Sequence, residues 1–516
     1  MKTKILFCVI ACLMLLGACY EDKGHYDYDT PNDVKVDWGS VWNPTAYVGE
    51  EFRLQPEKLT WTRPQDSTNF KFWWELTNKL DANGNVIVLG TGRELVFTPT
   101  EAVRTLVQLC AQDTTNGIIT QLGFAFNVKS PYEKGWMILS DENGQSVLSY
   151  IRPEYKKENE EEKRVYVPYL DFFKGRQTLG TGPVKLRTLY NSSSLLLVIQ
   201  ESGAVWLNGN SLDKEVFLKD EFVGSGVTGL KVKDFAQRNY AGLVLDESGK
   251  IYTRVTSNGS STPFYSTEFV NFPSEYEGEV IEIDRLLQVE STQYTAMYDK
   301  KKNRILWINT DFYKPGRIMK TEKIELDGFL DLNDMGDARL IYCAGYKEVY
   351  PNADMVLLYE KDGKIYFQKW RATYNNREDP LYTTIKDGSV IEFSGAQYIT
   401  ENTRFYQLRI RDYLFFAESG AIYYYDLMTK KTTLFYDNFP AGTRIIDFSS
   451  NPQESELGVV VETPSGSKFM TFDITTTGLI ERNPPIWETN IPGRVLDLEY
   501  KYISETDFAN RSRYAD

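Results

Sequence analysis

Histidine is all but missing from this chain of 516 residues: the single one, His25, lies near the N-terminus. Its scarcity removes from any folded body the Ser-His-Asp and Cys-His nucleophiles, the HExxH zinc motif and the histidine-based transition-metal sites. Cysteine is sparse as well, at five, with no CxxC or Cys/His spacing suited to zinc. No GxGxxG or GxxxxGK[ST] follows a strand and opens a helix, so no phosphate-cradling loop points to a nucleotide. Positive charge is in deficit: the formal net charge is −14, a poor match for nucleic acid or anionic lipid. Runs of helix-favouring Ala, Leu, Glu and Lys are few, and only the first residues form a long apolar stretch.

Carboxylate chemistry survives these exclusions, since glycosidases need only two acids. With 72 Asp and Glu in the chain, pairs arise everywhere and none stands out. Asp331-Leu-Asn333-Asp334-Met-Gly336 has a partial calcium-loop spacing, but Met335 and Tyr342 fall where oxygen donors are required, so it reads as a turn. No metal and no cofactor is expected. What the chain does have is aromatic side chains, 34 Tyr, 28 Phe and 10 Trp, a bias toward strands and an all-β fold.

Lys2 and Lys4 precede an apolar segment, Ile5 to Leu16, too short to remain as a membrane span. Gly17 and Ala18 then lead into Cys19. Leu16-Gly17-Ala18-Cys19 resembles the lipobox of bacterial lipoproteins. The resemblance implies cleavage after residue 18 and acylation of Cys19, each buried methylene of the acyl chains contributing roughly 0.8 kcal/mol to anchorage. Glu21 and Asp22 just beyond are similar to the signal that sends Bacteroidetes lipoproteins to the cell surface, which implies an outer-membrane, surface-exposed protein. Residues 1–18 are then a signal peptide and 19–33 a lipidated stalk. Cys8 and Cys12 leave with the signal, and Cys110 and Cys343 read as two buried free thiols in different domains.

Residues 34–129 hold about seven short alternating segments: Val34–Trp38, Glu51–Leu54, Phe70–Leu76, Val86–Val88, Glu94–Thr98, Thr105–Cys110 and Gly123–Val128. Asn83-Gly84 marks a tight hairpin. The pattern fits an Ig-like sandwich. Phe72-Trp73-Trp74-Glu75, with Phe97-Thr98-Pro99 and the closing strand, resembles PKD-type domains, and its place behind an acidic lipobox is similar to the PKD-like surface lipoproteins of Bacteroidetes. Trp73 and Trp74 point to opposite faces of a strand; one belongs in the core, the other at an edge or on an exposed platform.

Residues 130–516 repeat one unit: an apolar strand, a polar turn and a second strand rich in Tyr or Ile. The turn residues are Gly144, Gly203, Gly249, Asn303, Gly363, Gly420 and Gly466, between 46 and 60 residues apart. A further strand precedes several copies, as in Val232-Lys-Asp-Phe235, Ile281-Glu-Ile-Asp284 and Arg444-Ile-Ile-Asp-Phe448. Four strands per unit, seven times, predict a seven-bladed β-propeller. Arg494-Val-Leu-Asp-Leu-Glu-Tyr500 repeats the preceding-strand pattern with nothing after it, so the C-terminal strand is expected to complete the first blade and close the ring. Two stacked β-sandwiches are the alternative. Pro153 to Arg164 (PEYKKENEEEKR) reads as a solvated loop of the first blade.

Aromatic residues at Tyr346, Tyr350, Trp370 and Tyr374 are candidate ligand contacts, because Tyr and Trp in loops give rigid stacking faces. The family resemblance implies association with SusC/SusD-type TonB-dependent uptake. The expectation is therefore a non-catalytic surface lipoprotein that captures a glycan or peptide as an accessory to such a transporter. An envelope scaffold without a small ligand, or a carboxylate-based polysaccharide hydrolase or lyase, are the alternatives.

Overall fold

The computed structural model describes residues 31–39, 44–158, 161–188, 195–238, 240–256, 267–287, 294–322, 326–349, 352–375 and 382–502. The chain divides between Lys129 and Ser130 into two compact units.

The first unit is a β-sandwich. Its larger sheet runs, in order, Thr45–Tyr47, Ile119–Lys129, Arg104–Asp113, Phe70–Leu80 and Val86–Thr91. Two strand pairs accompany it, Val34–Asp37 with Lys58–Trp61 and Phe52–Leu54 with Leu95–Phe97. All seven strand segments read from the sequence lie in strands; Thr45–Tyr47 and Lys58–Trp61, too short and mixed to show alternation, are additional. At the Asn83-Gly84 hairpin, the Asp81 carboxylate accepts from the N–H groups of Asn83 and Asn85, both at 2.8 Å, while Gly84 takes a φ of 82°. Trp74 is fully buried against Trp38, with ring centroids 5.9 Å apart. Trp73 faces the other way and donates its indole N–H to Glu75 at 2.6 Å. Cys110 lies buried within this sheet, on the strand Arg104–Asp113 opposite Trp73.

The second unit is propeller-like. Its sheets, each given from its innermost strand outward, begin with Arg494–Lys501, Gly135–Glu142, Gln145–Glu158 and Glu161–Tyr169. The second has Pro183–Thr188, Leu196–Gln200, Val205–Leu207 and Lys214–Phe217. The third has Val232–Arg238, Ala241–Asp246 and Ile251–Val255. An eight-stranded sheet follows, made of two four-stranded halves whose innermost strands are Arg285–Leu286 and Arg339–Val349, joined by parallel pairing of Lys320 with Tyr382. The last two start from Arg404–Gln407 and Arg444–Ser450.

All seven turn residues adopt positive φ, from 43° at Asn303 to 123° at Gly466, which the tight link between each repeat's two strands demands. Asn303 is tolerated there because its side-chain amide donates to the carbonyls of Gly336 and Ala338 at 2.7 and 2.8 Å. The C-terminal strand pairs antiparallel with the first strand of the unit, from Gly135↔Lys501 to Asp141↔Arg494.

Two expectations are corrected. Among the described residues the third sheet has three strands where four were expected. Beside its outer strand these residues make scattered bonds, such as Val270 N–H to Thr253 O at 3.0 Å and Ser274 N–H to Ile251 O at 2.7 Å. Pro153 to Arg164 belongs to a long hairpin, paired from Pro153↔Tyr166 to Glu158↔Glu161, and not to an irregular loop. Apolar alternation marks a strand only when one face is buried, and the charged run Lys156 to Arg164 carries none.

Apolar clusters lie between successive sheets. Leu139 and Leu148 meet Leu186 and Val198; Trp307 and Met319 meet Leu340 and Trp370; Phe415 and Phe435 meet Val459 and Met470. A further cluster joins Val460 and Phe469 of the last sheet to Trp136, Ile138 and Leu498 of the first.

Candidate functional site

The innermost strands surround a cavity of about 640 Å³. Every one of the seven contributes lining residues, among them Val184, Lys233, Arg285, Ile341, Arg404, Ile446 and Leu496.

A recurrent irregularity shapes the wall. In five of these strands the register slips by one residue, between Pro183 and Lys185, Val232 and Asp234, Leu340 and Tyr342, Ile445 and Asp447, and Val495 and Asp497. The extra residue of each bulge is among the lining residues, as expected where a bulge re-aims a side chain. The residue after the bulge then reaches sideways. Asp447 accepts from Leu498 N–H at 3.1 Å, Asp497 from Leu186 N–H at 2.6 Å, and the Tyr342 hydroxyl from Gln407 N–H at 3.0 Å. Two residues further on, Ser449 accepts from Tyr500 N–H at 2.9 Å and Glu499 from Thr188 N–H at 2.8 Å. Inner edges that would otherwise be open to another strand are thus capped by neighbouring side chains.

The wall is charged. Lys185, Arg187, Lys233, Arg285, Arg404 and Arg409 line it, against Asp447, Asp497 and Glu499. Arg187, with 28% of its side chain exposed to the cavity, bridges Asp234 at 2.8 Å and Glu499 at 3.0 Å. Lys185 also reaches Asp234, at 3.0 Å. Burial works against charge on Asp234, but Arg187 and Lys185 prevail and draw its pKa down to about 2. The opposite holds where the last sheet meets the first. Burial, then the nearby Asp447 charge, pushes Asp497 up to about 7, and burial raises Asp447 and Glu499 too. Burial therefore disfavours ionising Asp447 and Asp497 together, and the charge on one raises the other.

The aromatic candidates fall elsewhere. Tyr346 is 1% exposed and Trp370 0% exposed; both lie within the sheets, in apolar clusters, and are packing residues rather than ligand platforms. The strands Arg339–Val349 and Lys364–Asn375 run longer than their apolar pattern suggests, which carries both residues into the core. Tyr374 sits on the second of these strands, and Tyr350 and Cys19 lie outside the described residues. Asp331 to Gly336 is a turn whose Asp331 and Asp334 carboxylates accept from Asn333 and Gly336 N–H at 2.9 and 3.1 Å. Sequence reading missed the charged lining entirely. The signal was present in Val232-Lys-Asp-Phe235 and Arg494–Tyr500, where polar residues interrupt an otherwise apolar inner strand.

A model of the PKD-like family matches residues 19–173, so the match reaches beyond the sandwich into the first sheet of the second unit. No curated protein matches the chain. Among solved structures, a quinonprotein alcohol dehydrogenase-like protein from Bacteroides thetaiotaomicron is 14% identical with a TM-score of 0.41, covering 90% of this chain and 98% of its own. A putative 6-phosphogluconolactonase from Bacteroides uniformis is 10% identical with a TM-score of 0.40, covering 72% of this chain and 99% of its own.

Proposed function

We propose that the second unit is a seven-bladed β-propeller closed by its C-terminal strand. In this reading the protein is a non-catalytic lipoprotein, held at the outer surface of the outer membrane through Cys19, that binds a glycan or peptide in its central cavity. It would serve as an accessory to a SusC/SusD-type TonB-dependent transporter. The observation that carries the reading is the cavity itself: a concavity of about 640 Å³ with both charged and apolar side chains in its wall, lined by all seven innermost strands and within the size range of small-molecule sites, about 300–1,000 Å³. Pairing of Arg494–Lys501 with Gly135–Asp141 supports ring closure.

Binding is favoured over catalysis because the wall carboxylates are engaged. Asp447, Asp497 and Glu499 each hold a backbone N–H of the neighbouring strand, which fixes them as structure. One observation favours a hydrolase as the second reading: Asp497, pushed up to about 7 by burial and the Asp447 charge, lines the cavity, where an acid of raised pKa could act on a bound glycoside. A panel of glycans and peptides, titrated against the purified protein while products are followed by chromatography, separates the two. Binding without turnover is expected. Turnover that vanishes in Asp497→Asn would replace the binder with the enzyme, and a cavity silent to the whole panel would leave the scaffold.

A further inference from the structure

We infer that the cavity receives a saccharide bearing a carboxylate, with Arg404 as the group that holds the charge; this rests on the ligand-binding reading above. The chain is acidic overall, yet six cationic side chains line the cavity against three carboxylates. The acids are committed to the wall, through backbone N–H groups and through Arg187. Four of the cations are matched by nearby acids: Lys185 and Arg187 by Asp234, Arg285 by Asp284 at 2.9 Å, and Lys233 by Asp284 at 3.9 Å.

Arg404 differs. Its Nε donates to the Ile446 carbonyl at 3.2 Å, and among the described residues no carboxylate lies within 4.0 Å of it. That bond ties Nε to the neighbouring strand, and among the described residues no hydrogen bond engages the terminal nitrogens of this lining side chain. A planar fork held this way matches a carboxylate in two parallel bonds, a geometry a lysine cannot supply.

A further feature selects a saccharide over a peptide. On the inner strands Pro183–Thr188, Arg404–Gln407 and Arg494–Lys501, edge N–H groups that an extended peptide would use for strand addition are already taken by Asp447, Asp497, Glu499, Ser449 and Tyr342. Recognition is left to side chains, as a polyhydroxylated ring requires.

The test is calorimetric titration of the purified protein with digalacturonate, with a neutral disaccharide of the same size, and with the dipeptide Glu-Glu. Digalacturonate is expected to bind at least tenfold more tightly than the neutral sugar and to weaken as salt rises. Arg404→Gln should reduce that affinity tenfold or more and narrow the ratio between the charged and the neutral sugar. Arg404 is exposed, so the variant is expected to fold, and its melting temperature checks this. Should it not fold, the salt dependence and the charged-to-neutral ratio of the unaltered protein decide alone. Equal affinity for the charged and neutral sugars, or an Arg404→Gln protein that binds digalacturonate undiminished, overturns the carboxylate inference and leaves the ligand-binding reading intact. Tighter binding of Glu-Glu than of digalacturonate overturns the choice of saccharide. Silence toward all three probes and toward the wider panel overturns both readings.

Discussion

Lys501 should make the stability of the second unit rise with pH through the alkaline range. The side chain is 1% exposed, on the strand that pairs with Gly135–Asp141, and its ammonium donates to the Tyr132 and Glu133 carbonyls at 2.8 and 3.3 Å. Burial draws its pKa from 10.5 down to about 7. Between those values the unfolded chain holds a proton that the folded chain has released, so raising the pH favours the fold; below about 7 both states are protonated and the dependence ends. At 1.36 kcal/mol for each pH unit, the full window is worth about 5 kcal/mol, and the part from pH 7 to 9.5 about 3 kcal/mol. Urea unfolding of the protein and of Lys501→Met, at several pH values across that part, isolates the effect, because every other titrating group cancels in the difference. The gap between the two proteins should change by 2–3 kcal/mol, the unaltered protein gaining as the pH rises. Parallel curves would refute the argument and show that the lysine stays charged inside the fold, neutralised by a group such as Glu133.

Asp497 carries the opposite sign in a lower window. Its folded pKa lies near 7, above the 3.8 of the unfolded chain, so its contribution is complete below about 4 and disappears as the pH rises through 7; Asp497→Asn should flatten melting temperatures measured between those limits. Gly458→Ala places a methyl 2.4 Å from the Trp136 indole nitrogen in the cluster that joins the last sheet to the first, and should cost about 1–3 kcal/mol in urea unfolding. Cys110 and Cys343 are buried, with burial pushing both thiols up to about 12, so neither should react with an aromatic disulfide reagent until the protein is unfolded, when both should. Cys19→Ala should move the protein from the membrane to the soluble fraction; membrane retention by that variant would count against acylation at Cys19.

Elements with one buried face were legible in the sequence, because alternation and turn chemistry are enforced there. The seven turn residues and the pairing of the tail with the first strand follow from that pattern. The irregular outer edge of the third sheet did not, since an outer position packs on one side only and tolerates Asn271-Phe-Pro-Ser274 without strand alternation. The site was illegible for a different reason. Aromatic residues were sought as platforms, but a propeller-like unit needs large rings between its sheets, and Tyr346 and Trp370 fill that space. Lining residues are set by bulges, and a bulge shows in sequence only as a displaced alternation, as where Lys233 precedes Asp234.

The acid pair lies where the last sheet meets the C-terminal strand, with Asp447 accepting from Leu498 N–H and Asp497 from Leu186 N–H. Burial disfavours charge on both, and the neighbouring Asp447 charge raises Asp497 further, so two carboxylates there cannot both ionise cheaply. Asp447→Asn should therefore return the Asp497 pKa toward the ordinary carboxylate range, read by NMR titration of its side-chain carboxyl; an Asp497 still titrating near 7 in that variant would mean that burial alone sets its value.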